Sequence, residues 1–220
     1  MCVCVCLSLL VPLSFIRALP SPSLPLLSLS SQHGPPRTIA DRASFFSKYS
    51  YVIGGLPYSC DDIEHGVLRN NQASPAHVLS LLGMKRLAPR TFAHGDRRQR
   101  LCIDPPDPRI HFALVCGAKS CPPIRLYSGS NVEEGLAGAA EAFCADDVAV
   151  DVARGIVTLS KIFKWYGGDF AKDKLGLLEA ISAYRPDKDL RDLVAAKGKK
   201  IRVRYAEYDW GVNGKNAASS

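Results

Sequence analysis

The chain has 220 residues, 47% of them hydrophobic and 22% charged, enough to bury a full core and too few for two large domains. Its net charge of +7 falls to a mild +5 once Arg17 and Arg37 of an acid-free leader are set aside, which leaves 26 basic against 21 acidic residues. Basic clusters at 85–100 and 199–204 do not interleave aromatic residues with Lys and Arg, so nucleic-acid binding is not expected.

Residues 1–37 read as a signal-like or disordered leader, with a single domain expected over 38–220. Cys2 to Ile16 is charge-free and apolar, but Ser8, Pro12 and Ser14 interrupt it, and it falls short of the ~20 residues that a membrane-spanning helix needs. It has the apolar core of a signal peptide but no Lys or Arg ahead of it, and only Ile16-Arg17-Ala18 offers a loose cleavage site. A true signal peptide would make the protein secreted; otherwise it is cytoplasmic. From Leu19 to Pro36 the chain is Ser, Pro and Leu without folding periodicity, the composition of a disordered linker.

Further along, Ser59 and Asp62 form a capping-box pattern, and Asp61, Asp62 and Glu64 suit the positive end of a helix running through Arg69. Glu64 and Leu68 then share one face, His65 and Arg69 the next. A second helix is predicted from Pro75 to Leu87, with Ala76, Leu79 and Leu82 on its apolar stripe. Ile110 to Cys116 is apolar at every position except His111, which predicts a strand covered on both faces. On a period of two, His111 and Cys116 point opposite ways. Gly117 breaks this strand, and Pro122 and Pro123 forbid a helix close behind, so Ala118 to Cys121 form an exposed, semi-rigid loop. Val132 to Cys144 is predicted helical. Val148 to Val152 and Ile156 to Leu159 form a hairpin turned by Gly155. Ser160 caps a short helix carrying Ile162, Phe163 and Trp165, in which Trp165 is expected to be buried, with Trp210 as a second structural anchor. Helices Asp173 to Tyr184 and Asp187 to Ala196 follow, and Ile201 to Tyr205 closes as a strand. The sum is an α+β fold: a single domain with a small mixed sheet, several helices and no repeat.

Four stretches carry a resemblance. Leu56 to Arg69 (Leu-Pro-Tyr-Ser-Cys-Asp-Asp-Ile-Glu-His-Gly-Val-Leu-Arg), Asp107 to Pro123, Leu159 to Phe170 (Leu-Ser-Lys-Ile-Phe-Lys-Trp-Tyr-Gly-Gly-Asp-Phe) and Tyr208-Asp209-Trp210-Gly211-Val212-Asn213 resemble, in order, the signature blocks of the domain-of-unknown-function family numbered 547. The resemblance covers residues 40–214 and implies a family of bacterial and plant proteins without an assigned activity. It also implies an N-terminal helix with an aromatic and Asn-Tyr-Asn-like residues, which residues 1–39 do not contain; the chain is expected to lack that element.

The stretch from Asp107 to Pro123 gathers Arg109, His111, Cys116 and Cys121, and together with Glu64 and His65 these are the candidate site residues. Three readings compete. In the first, the domain is a binding or interaction module, which implies a protein partner, and Glu64, His65, Arg109 and His111 form a buried polar network in which each charge must be paired. The second is a thiol-dependent hydrolase or transferase. It uses Cys116 or Cys121 as nucleophile, His65 or His111 as base and Glu64 as orienter, with Lys119 and Arg109 able to lower the thiol's pKa. In the third, Cys116 and Cys121 form a reversible disulfide, but four intervening residues and two following prolines make that geometry unfavourable. No cofactor is expected. A zinc site from His111, Cys116 and Cys121 lacks both the paired ligand spacing and a fourth donor. The cysteines outside the leader are odd in number, so at least one stays free, and Cys144, beside Phe143, reads as a small core residue.

Overall fold

The computed structural model describes residues 45–75, 91–211 and 213. The leader and the helix expected after Pro75 therefore lie outside the described residues. The described chain is α+β, with five strands in two small sheets and helices packed over them.

After a helical turn at 45–48 comes an antiparallel hairpin, β1 (Ser50–Ile53) against β2 (Leu56–Ser59), in the register Ser50 with Ser59 and Ile53 with Leu56. Gly54 and Gly55 make the turn with φ of 57° and 79°, the left-handed pair that a two-residue hairpin loop demands. Immediately behind β2 the capping box closes reciprocally: Ser59 N donates to Asp62 Oδ2 at 2.9 Å and Asp62 N to Ser59 Oγ at 3.0 Å.

The helix so capped is not an α-helix but a π-helix, Asp62–Leu68. Arg69 N reaches Glu64 O at 3.1 Å and Asn71 N reaches Gly66 O at 2.7 Å, five residues back in each case. Gly66 lets Phe92 pack directly against this helix: a Cβ at this position would sit 2.4 Å from two ring carbons of Phe92. Asn70 and Asn71 then leave the helix with φ of 52° and 57°, and the Asn71 amide clamps the backbone of Phe92, accepting from its N at 2.8 Å and donating to its O at 3.0 Å.

The predicted strand Ile110 to Cys116 does not form. Asp107 accepts from Arg109 N at 2.9 Å, Pro108 supplies the first helical position, and Pro108–Phe112 is a 3₁₀ helix. The apolar run mimics a doubly covered strand because successive side chains of a 3₁₀ helix, about 120° apart, and Ala113 behind it enter different packed clusters. Ile110 enters the core beneath the first hairpin with Tyr58, Val67 and Phe92, while Phe112 enters the main core. Ala113 joins a third cluster with Tyr127 and Leu136. His111 lies between Ile110 and Phe112 in sequence and has a direction of its own.

The C-terminal half follows the predicted elements closely. Helix α1 (Val132–Asp146) leads into β3 (Val148–Asp151), which pairs antiparallel with β4 (Ile156–Leu159) around Gly155 at φ 63°. The Ser160 hydroxyl caps α2 (Lys161–Trp165) by accepting from Ile162 N at 3.4 Å. Helices α3 (Gly167–Phe170), α4 (Lys174–Tyr184) and α5 (Asp189–Lys197) bring the chain back to β5 (Arg202–Tyr205), parallel to β4. The sheet order β3-β4-β5 makes β4 central, and Val157 and Leu159 are fully buried there against Phe143, Ile181 and Leu190. Among the described residues, no helix is long and apolar enough to cross a membrane.

Candidate functional site

The π-helix, the 3₁₀ helix and the α2–α3 corner converge on a buried polar centre. Its hub is Arg69, 5% exposed at the side chain, whose Nε and Nη2 donate to Asp169 Oδ2 and Oδ1 at 2.6 and 3.0 Å. The remaining guanidinium nitrogen, Nη1, donates to Ala73 O at 2.9 Å and to His65 Nδ1 at 3.1 Å. Asp169 Oδ2 also accepts from His111 Nε2 at 2.8 Å. The His111 ring stacks on Tyr166 at 4.0 Å between centroids, and the Tyr166 hydroxyl donates to Glu64 Oε1 at 2.7 Å.

The electrostatics follow from this pairing. Burial works to raise Asp169, but the hydrogen bonds from His111 and Arg69 outweigh it and hold the carboxyl at about 2. Burial likewise opposes the charge on Glu64, and His65 and the Tyr166 hydroxyl overcome it, leaving Glu64 below its ordinary value. Burial pushes His111 down and Tyr166 well up, the latter aided by Glu64.

Beside this centre lie the two thiols. Gly117 turns the chain at φ 79°, Cys121 N closes onto Ala118 O at 3.1 Å, and the sulfurs of Cys116 and Cys121 come to 3.2 Å. The spacing judged unfavourable from sequence is thus corrected: a left-handed glycine and one tight turn fold the intervening residues back on themselves. Cys121 Sγ also accepts from Cys116 N at 3.3 Å and lies 3.4 Å from the Tyr208 hydroxyl. The Cys116 thiol, the Tyr208 hydroxyl and the amides of Cys116 and Ala118 draw Cys121 below the ordinary thiol range against the opposing effect of burial, and Cys116 is pushed up in exchange.

The C-terminal segment locks this loop in place. Lys119 N donates to Gly211 O at 2.9 Å, Asn213 N to Gly117 O at 2.9 Å, and Asp209 N to Ser120 Oγ at 2.8 Å. Trp165, Tyr208 and Trp210 pack edge-on and tilted against one another with centroids 4.6 to 5.4 Å apart, and Tyr208 carries this aromatic cluster to the thiol pair. Trp165 was expected in the core beside Ile162 and Phe163; those two are buried, but Trp165 is only half-buried, because the last turn of α2 faces this cluster. Its neighbour Tyr166 faces the polar centre, so adjacent residues of one helix end connect the two halves of the site.

Of the sequence-predicted residues, Glu64, His65 and His111 meet in the polar centre, and Cys116 meets Cys121. Arg109 goes elsewhere: its guanidinium pairs with Asp107 at 2.5 Å and Glu133 at 2.8 Å. Sequence reasoning missed Arg69, Tyr166, Asp169 and Tyr208. Arg69 was legible as the helical neighbour of His65, and the other three lie inside the third and fourth signature blocks. Among the described residues, no three His, Cys, Asp or Glu side chains gather as a metal-holding group. A cavity of 310 Å³ lined by Asn70, Asn71, Phe92, His94, Gln99 and Cys102 shares none of the site residues.

A family model described as a protein of unknown function, DUF547, matches residues 21–144, more than half of the chain and including Glu64, His65, Arg69, His111 and both thiols. No curated protein and no solved structure matches the chain.

Proposed function

The chain belongs to the DUF547 family, a family of unknown function, and since no activity comes with membership, we propose one from the site itself: a thiol-dependent transferase or hydrolase with Cys121 as nucleophile. The observation that carries the reading is the setting of Cys121 Sγ: the Cys116 amide donates to it at 3.3 Å, with the Cys116 thiol at 3.2 Å and the Tyr208 hydroxyl at 3.4 Å beside it. Together they supply what a thiolate needs at neutral pH, where an ordinary cysteine is mostly protonated. The Tyr208 hydroxyl acts as donor and holds its proton, since burial and the adjacent thiols push its pKa up. His65 and His111 are engaged with Arg69 and Asp169, so in this proposal they organise the neighbouring polar centre and do not act as the base.

The interaction-module reading has its own supporting observation, the Arg69–Asp169 pair, at 5% and 4% side-chain exposure and fully engaged with its neighbours. Such a pair organises a fold whether or not chemistry occurs beside it. Labelling discriminates between the two readings. The folded protein is treated with iodoacetamide at neutral pH and the modified peptides are mapped. Cys121 is expected to react first, while Cys60 and Cys144, buried and pushed up to about 12, react last. Cys121→Ser should remove the fast phase; labelling without preference for Cys121 would leave the interaction module as the surviving account.

A further inference from the structure

A nucleophilic thiol that attacks carbon needs no second thiol, yet Cys116 Sγ sits 3.2 Å from Cys121 Sγ. Both cysteines are free and half-buried. They are not equivalent: the Cys116 amide donates to Cys121 Sγ at 3.3 Å, and the Tyr208 hydroxyl lies nearer to Cys121, at 3.4 Å, than to Cys116, at 3.8 Å. The donors mark Cys121 as the sulfur that carries negative charge, and Cys116 lies where it can reach that sulfur without rearrangement of the loop. Closing the contact to the ~2.05 Å of a bonded pair takes a movement of about 1 Å. The loop that presents both sulfurs is fastened at Gly117, Lys119 and Ser120 to the segment that carries Tyr208 and Trp210, so the two thiols are held as a unit.

We propose that the pair carries out thiol–disulfide exchange on a disulfide substrate, Cys121 attacking and Cys116 resolving. The inference rests on Cys121 being the nucleophile proposed above. In the first step the Cys121 thiolate forms a bond to one sulfur of R–S–S–R′; the substrate S–S bond breaks, and R′–S⁻ leaves with the electron pair and takes a proton from water. In the second, Cys116 loses its proton to solvent and attacks Cys121 Sγ. The Cys116–Cys121 bond forms, the Cys121–S–R bond breaks, and R–S⁻ leaves and is protonated. The substrate gains two electrons and becomes two thiols, and the protein's own dithiol supplies both electrons and becomes the disulfide.

The test uses the reduced full chain and bis(2-hydroxyethyl) disulfide as the probe, followed by intact mass, a count of released small thiol and peptide mapping. The wild type is expected to end with a Cys116–Cys121 disulfide and two small thiols released per chain. Cys116→Ser and Cys116→Ala should both stop at a mixed disulfide on Cys121 with one small thiol released, and Cys121→Ser should yield neither product. A wild type that accumulates a stable mixed disulfide on Cys121 with Cys116 still free would overturn the exchange and leave Cys121 standing as a nucleophile. A wild type in which Cys121 does not react at all would overturn both.

Discussion

Asp169→Ala removes the acceptor that two buried cations or donors share, and its cost can be worked from the contacts. The Arg69 guanidinium loses two hydrogen bonds, of 2.6 and 3.0 Å, while remaining 5% exposed. Leaving one partner of a buried pair without the other costs ~3–5 kcal/mol. His111 loses its 2.8 Å bond as well, worth ~1 kcal/mol. The carbonyl of Ala73, His65 and the Tyr166 ring, 5.1 Å from the guanidinium, still hold Arg69 and keep the total towards the lower end. At about 2–4 °C per kcal/mol for a domain of this size, Tm should drop by roughly 6–16 °C. Thermal melts by circular dichroism measure it. The double variant Arg69→Met with Asp169→Leu should recover much of the loss, since an apolar pair of similar volume avoids the stranded charge. A Tm for Asp169→Ala within about 2 °C of wild type would refute the assignment of Arg69 as the hub.

Three further outcomes follow from the packing and the charges. Gly66→Ala should destabilise by ~1–3 kcal/mol in urea unfolding, because the new methyl meets the buried Phe92 ring at 2.4 Å; an unchanged midpoint would mean the π-helix can shift to admit it. Trp165→Ala should cost only ~1–3 kcal/mol, the area of a half-buried ring, and should also slow alkylation of Cys121 by releasing Tyr208; stability loss with an unaltered alkylation rate would separate the aromatic wall from the thiols. The Asp169 carboxyl, at about 2 in the folded protein against ~3.9 unfolded, stabilises fully above pH ~4 and loses its contribution as pH falls through about 2. The stability gap between wild type and Asp169→Asn should therefore shrink on acidification through that window, and a gap that stays constant would show that the carboxylate is not held by its partners.

The sequence was most readable where one local rule decides the outcome. The capping box at Ser59 and Asp62, the Ser160 cap, the hairpin around Gly155 and the apolar periods of α1, α4 and α5 all rest on neighbours within a few residues, and all are present. The first hairpin was equally local, announced by Gly54-Gly55, but its strands are four residues long and one contains Pro57, which suppresses a strand pattern. Ile110 to Cys116 was misread for a different reason. Uniform hydrophobicity records burial on all sides and is silent on period, so a 3₁₀ helix wedged between cores reads like a buried strand. The site was legible in part: Glu64, His65, His111, Cys116 and Cys121 meet there. Arg69 was within reach as the helical neighbour of His65, but Asp169 and Tyr208 were not recognised because their partners lie 58 to 100 residues away in the chain, and spacing says nothing at that range. Arg109 resembles a site arginine from sequence, yet an aspartate two residues earlier captures it.

The most direct test of a thiol-centred function is the pH dependence of Cys121 alkylation in the folded protein, followed peptide by peptide from acid to alkaline conditions. The groups around its sulfur predict a rate that rises with a midpoint well below that of an ordinary thiol, and a midpoint that moves upward in Tyr208→Phe. A midpoint at the ~8.5 of an unperturbed cysteine, unmoved by Tyr208→Phe, would contradict the assignment of Cys121 as the nucleophile.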